Sequence, residues 1–83
     1  MNKELIKKYI HHLQIKHIKD YAKSQNIFLS EEEATILYQF IQNHYEQLLE
    51  DSTTIFQLKD LIREDLYQQV VSLYHEKRRI FLH

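Results

Sequence analysis

Leu5, Ile6, Tyr9, Ile10 and Leu13 fall at steps of three and four residues, so the chain opens with one face of an amphipathic helix over about residues 2–13. Its opposite face is rich in lysine. A second, short helix over about residues 17–25 would bury Ile18, Tyr21 and Ala22, with Ile15 packed just ahead of it. Asn26 then stands where a left-handed C-cap is needed, since asparagine tolerates positive φ better than its neighbours. Ile27, Phe28 and Leu29 read as a buried connector.

Ser30 followed by Glu33 has the spacing of a capping box, in which hydroxyl and carboxylate each accept from the other residue's backbone N–H. Leu29 and Ala34 occupy the staple positions around it, and Glu31, Glu32 and Glu33 sit where the helix dipole favours negative charge. From there Ala34, Leu37, Tyr38, Ile41, Tyr45, Leu48 and Leu49, widened by Ile36 and Phe40, form one apolar stripe to about Glu50. Asp51 to Thr54 break it with four residues that can cap by side-chain hydrogen bonds.

In the last third, Ile55, Leu58, Ile62, Leu66, Val70, Leu73 and Ile80 or Phe81 keep a period near 3.6, which permits one helix or two. Asp65 and Gln68 have capping-box spacing and place a break near residues 64–66. Two helices are favoured, because one of about 25 residues would outrun the bundle that the other segments can form.

Composition sharpens the fold class. Glycine and proline are both absent, whereas average usage predicts about ten in a chain this long, and hairpin turns depend on them. The expected fold is all-α: a compact four- or five-helix bundle, one domain over residues 1–83, with a helix-turn-helix-like elbow at residues 26–30. A chain this short buries only about 60–65% of its unfolded surface, so its stability margin is thin, and a homodimer stays open.

The absence of cysteine excludes disulfides, iron–sulfur clusters and thiolate zinc sites. The N-terminal pattern carries charges inside its apolar positions, unlike a signal peptide, and no apolar run approaches the roughly 18 residues of a membrane span. A cytoplasmic protein without membrane contact is expected.

The net charge of −1 is unevenly spread: residues 1–23 carry six lysines against Glu4 and Asp20, and residues 24–54 carry six acids and no base. The basic segment can face phosphate or the acidic middle of its own chain, and the second is the ordinary arrangement in a compact bundle.

Six histidines suggest metal, but none has another four residues along, and His17 with Asp20 supplies at most two ligands. No cofactor or metal is expected. Catalysis has no glycine loop, thiol or Ser-His-acid spacing to stand on, and Glu31 to Glu33 are explained by capping, so the chain reads as a non-enzyme.

DNA binding is the sharper alternative, since IKDYAKSQNIFLSEEEATILYQFI gives helix, turn, helix. The second helix of that motif meets bases and phosphates with its N-terminal residues, which here are three glutamates. A nucleic-acid contact would have to use the first segment, through Lys3, Lys7, Lys8, Lys16, Lys19 and Lys23, where arginine is absent. Against that stands a protein–protein role: ten aromatics, six of them tyrosine, exceed what a minimal core needs. Tyr38, Tyr45, Tyr67 and Tyr74, flanking the longest stripes, are the candidate partner interface.

The segments YAKSQNIFLSEEEATILYQFI and TTIFQLKDLIREDLYQQVVSLYHEK resemble a family of small all-helical proteins of Bacillus-type bacteria known only as a domain of unknown function. The resemblance spans residues 17–77: a Tyr-Ala-Lys helix end, an Ile-x-Leu-Ser connector, a capped helix, an Ile-Phe entry and a final helix pair. The chain departs from the family in lacking a glycine near Asn26 and in its aromatic, histidine-rich surface. The resemblance implies an all-α fold and brings no activity or site residues.

Overall fold

The computed structural model describes residues 3–81. Readings that involve the side chains of Lys3, Ile80 or Phe81, or residues 82–83, lie outside that description. Four α-helices and one 3₁₀ helix are present among the described residues, with no strand: α1 Lys3–His12, α2 Ile15–Ser24, α3 Glu31–Glu50, the 3₁₀ helix Ser52–Leu58, and α4 Glu64–Phe81. The radius of gyration is 12.2 Å, against about 12 Å for a compact chain of this length. The all-α bundle expected from the sequence is the observed fold.

α3 is the central element, packed against α1, α2 and the 3₁₀ helix, while α4 packs mainly on the 3₁₀ helix. The start of α3 follows its sequence signal. Glu33 N–H donates to Ser30 Oγ at 3.1 Å and Ser30 N–H donates to Glu33 Oε1 at 3.2 Å, closing the capping box.

The end of α2 is a Schellman motif: Ile27 N–H donates to Ala22 O at 2.8 Å and Asn26 N–H to Lys23 O at 3.1 Å. That motif requires a left-handed residue after the cap. Asn26 supplies it at φ 59°.

Four expectations need correction. The connector is not buried throughout: Ile27 and Leu29 pack against the core, but Phe28 between them is 81% exposed. An extended connector alternates its faces, so one residue of the three must point out.

α2 begins at Ile15, two residues early, because Gln14 N–H finds His17 Nδ1 at 3.0 Å and so receives a cap that spacing alone did not reveal. The Asp65–Gln68 box does not form either. Gln68 Nε2 donates instead to Glu64 Oε1 at 2.9 Å, one helical turn back inside α4.

The break after α3 is longer than expected. Asp51 accepts from Thr53 N–H at 2.9 Å and from the Thr53 hydroxyl at 2.7 Å, which starts a 3₁₀ helix instead of an α-helix. Three residues per turn put Ile55 and Leu58 on one face, and both are buried, 3% and 1% exposed. With Leu37, Phe40, Leu48, Ile62, Leu66 and Tyr67 they form the hydrophobic core. The core thus lies where α3, the 3₁₀ helix and the first turns of α4 meet.

Candidate functional site

α1 packs against the second half of α3. Gln42 Nε2 donates to Ile10 O at 2.6 Å, and one turn further along α3 the rings of Tyr45 and His11 meet edge to face at 6.3 Å. α4 runs parallel to α3: Arg63, just ahead of α4, bonds Glu33 at the start of α3, and the C-terminal half of α4 reaches the end of α3, where Tyr74 OH donates to Leu48 O and Arg78 Nη2 donates to Leu49 O at 3.1 Å.

α1 and α4 both reach the second half of α3 without packing closely on each other. Between them lies an apolar groove of about 740 Å³. This is the size of a small-molecule pocket or of a seat for several side chains.

Leu37, Ile41 and Leu48 of α3 form the floor. Leu5, Ile6, Tyr9 and Ile10 form one wall, continued by Ile18 and Tyr21 of α2, and Leu66, Val70, Leu73 and Tyr74 form the other. Leu5 is 59% exposed and Tyr9 67% exposed at the lip. In the sequence they belong to the core-facing stripe of α1, but one helix cannot cover both α3 and the gap beside it. The signal that was available is the width of that stripe, which exceeds what a single neighbouring helix can bury.

The groove has two unlike ends. Near the elbow it is lined by Ala22, Ile27, Leu29 and Leu66. At the other end Lys77 and Arg78 line it, and no Asp or Glu among the described residues does. Arg78 Nε is buried and has no hydrogen-bond acceptor among the described residues. Asp51, whose carboxyl feels the Arg78 charge, is held below the usual carboxylate range chiefly by the Thr53 hydroxyl and N–H, so its bonding capacity is directed to Thr53.

A second feature sits outside the groove at the elbow. Arg63 donates through Nη2 to Phe28 O, through Nη1 to Glu33 Oε1 at 2.6 Å, and through Nε to Asp65 Oδ1 at 2.9 Å. Leu61, 52% exposed, borders a shallow depression of about 470 Å³ that it shares with Ser30, Glu32, Asp60 and Arg63. Phe28 and Leu61 are thus two exposed apolar side chains around one arginine, flanked by acids.

Of the four tyrosines named from the sequence, one is buried and three are half-buried. Tyr67 is buried in the core and Tyr74 lines the groove, its hydroxyl committed to Leu48 O and burial holding its pKa above the ordinary tyrosine value. Tyr45 is half-buried against α1 with its hydroxyl donating to Glu46 Oε1 at 3.2 Å, and Tyr38 is half-buried on α3. Of the lysines, Lys7, Lys8, Lys16 and Lys23 are exposed, whereas Lys19 is bound by Glu31 from the start of α3. Sequence reasoning missed both the groove and Phe28, because it assigned these residues to the core.

No group of three or more histidines, aspartates and glutamates poised to hold a metal occurs among the described residues. None of their helices is long and apolar enough to cross a membrane. No family model matches the chain, and no curated protein or solved structure matches it.

Proposed function

We propose that this chain is a small bacterial, cytoplasmic protein–protein interaction module that uses Phe28 as its principal anchor and binds without catalysing a reaction. The observation that carries this reading is the contrast between a side chain that is 81% exposed and a backbone that is tied down around it. Ile27 N–H is fixed to Ala22 O, Phe28 O is bonded by Arg63, and Ser30 is locked in the capping box. An aromatic held on a rigid backbone loses little freedom on binding, which is the character of an interface anchor. Leu61 supplies a second apolar group, and Glu32 and Asp60 a polar rim.

The partner is a protein, and a second copy of the chain is one form this takes. The bacterial setting rests on the resemblance over residues 17–77, and the compartment on the lack of cysteine.

The test is Phe28→Ser combined with Leu61→Ser, in affinity capture from the native cell extract and in sedimentation over a concentration series. Both positions are exposed, so the folded state should hold within about 0.5 kcal/mol. The expected result is loss of a captured protein, or of self-association, with the circular dichroism melt unchanged. Capture and self-association that survive the double substitution would overturn the assignment of this surface.

A further inference from the structure

We infer that the groove between α1 and α4 is a binding site for a long-chain carboxylate, a fatty acid, with its carboxylate at Lys77 and Arg78 and its chain running toward the elbow. This goes beyond the reading above and stands on different residues from Phe28 and Leu61.

The polarity of the groove carries the argument. Its side chains from Leu66 to Leu73 are apolar, and the α4 wall from Leu66 to Arg78 measures about 18 Å at the rise of an α-helix. At one end the space is lined by Ala22 and Leu29, and at the other it meets two cations. A carboxylate placed there finds the exposed Lys77 ammonium first. Arg78 is the second contact: its Nη2 is committed to Leu49 O, but its Nε–H has no acceptor among the described residues. A buried donor without a partner is costly, so an incoming acceptor toward which the guanidinium turns gains more there than at a satisfied group.

No Asp or Glu among the described residues lines the groove to repel the ligand, and Asp51, which feels the Arg78 charge from outside the lining, is bonded to Thr53. The apolar lip at Leu5 and Tyr9, exposed in the free chain, would lose its contact with water under the bound chain. A cationic or neutral amphiphile matches the walls but not the end. The chemistry selected is an anionic head on an unbranched apolar tail.

The experiment is calorimetric titration of the full chain with octanoate, decanoate and dodecanoate, each below its micellar concentration, with dodecyltrimethylammonium as the cationic counterpart. The expected result is saturable one-to-one binding that tightens about four-fold per added methylene, and at least ten-fold weaker binding of the cation. Lys77→Gln with Arg78→Gln should weaken dodecanoate at least ten-fold. If that double variant does not fold, Lys77→Gln alone, at an exposed position, gives the same direction.

Val70→Trp, which fills the middle of the groove, should abolish binding while keeping the helical spectrum. Equal affinity for dodecanoate and dodecyltrimethylammonium would overturn the proposal, as would the absence of saturable binding. Cosedimentation with phosphatidylglycerol vesicles in the absence of dodecanoate binding would overturn it in favour of a membrane surface. A dimer that Val70→Trp dissociates, with no dodecanoate binding, would overturn it in favour of a second copy. The Phe28 and Leu61 substitutions should leave dodecanoate affinity unchanged, so this proposal and the interaction reading fail separately.

Discussion

Arg63 and Glu33, thirty positions apart, share the carboxylate oxygen that closes the N-terminal cap of α3: Glu33 Oε1 accepts from Ser30 N–H at 3.2 Å and from Arg63 Nη1 at 2.6 Å. A local capping motif is thereby joined to the segment that starts α4. The same guanidinium bonds Phe28 O, so it also fixes the elbow. Glu33 is 13% exposed at its side chain and Arg63 36%, which places the pair between a surface ion pair and a buried one.

Arg63→Met should cost about 2 kcal/mol, because it removes charge-assisted bonds to Glu33 and to a carbonyl while leaving the half-buried carboxylate without its cation. For a domain of this size that lowers Tm by about 8–15 °C. A double-mutant cycle with Glu33→Gln, read by thermal melts, should show coupling well above that of a surface pair. Coupling below about 0.5 kcal/mol would show that the contact is merely peripheral.

Leu58 and Leu66 are each 1% exposed and meet where the 3₁₀ helix, α3 and α4 share one core. Truncating either to alanine should cost about 2–5 kcal/mol. Such a loss is a large share of the 5–15 kcal/mol typical of a whole domain, and this chain is short. Leu66→Ala should therefore show a strongly reduced urea midpoint or an unfolded baseline at 25 °C. Leu5→Ala, at a position 59% exposed in the free chain, should shift the midpoint far less.

These positions mark what the sequence discloses and what it hides. The α3 cap, Asn26 and the burial of Leu37, Leu58 and Leu66 are local or periodic facts, and each was readable from spacing. The groove was not, because periodicity says which face of α1 is apolar but not which neighbour covers it; that depends on the angle between α1 and α4. Phe28 failed for a related reason. Hydrophobicity of three consecutive residues cannot tell which of them an extended backbone turns outward. The His17 cap on Gln14 was missed because histidine and glutamine are weak capping signals beside serine and glutamate.

Asn26 at φ 59° tests the Schellman motif directly. Asn26→Gly should be neutral or stabilise by up to about 1 kcal/mol, since glycine enters the left-handed region without a Cβ penalty. Asn26→Val should destabilise by about 1–2 kcal/mol, because a β-branched residue there is strained. Ser30→Ala, three residues after the connector begins, should cost about 1 kcal/mol through the lost cap. Chemical denaturation of the three variants would show whether the elbow is held by backbone geometry, by the cap, or by both. Equal stability of the glycine and valine variants would mean that residue 26 does not hold positive φ in solution.

The Asp51 carboxyl makes a pH prediction. Its pKa lies below the ordinary value first because the Thr53 hydroxyl donates to it, then because the Thr53 N–H does, with burial opposing and the Arg78 charge adding a smaller lowering. A carboxyl whose folded pKa is depressed contributes stability that is complete above the unfolded value, about 4, and is lost as pH falls through the folded one. Melting temperatures from pH 7 to pH 2 should therefore decline below pH about 4. In Asp51→Asn that acid-side decline should be shallower, with the two proteins converging at the lowest pH. Parallel curves would show that Asp51 contributes nothing to the acid sensitivity.

The lysine face offers a final prediction by contrast. Lys7, Lys8, Lys16 and Lys23 are exposed, but Lys19 is bound by Glu31, and the acidic start of α3 stands beside α2. Phosphates approaching this face would meet that negative charge, and the chain as a whole carries −1. Binding to a generic DNA duplex at 50 mM salt should therefore be weaker than about 10⁻⁴ M, the weak end of ordinary non-specific affinity. Glu31→Gln should strengthen it slightly by releasing Lys19. Tight binding with a steep salt slope, reduced by Lys7→Gln with Lys8→Gln, would reverse this assignment and make α1 a nucleic-acid surface.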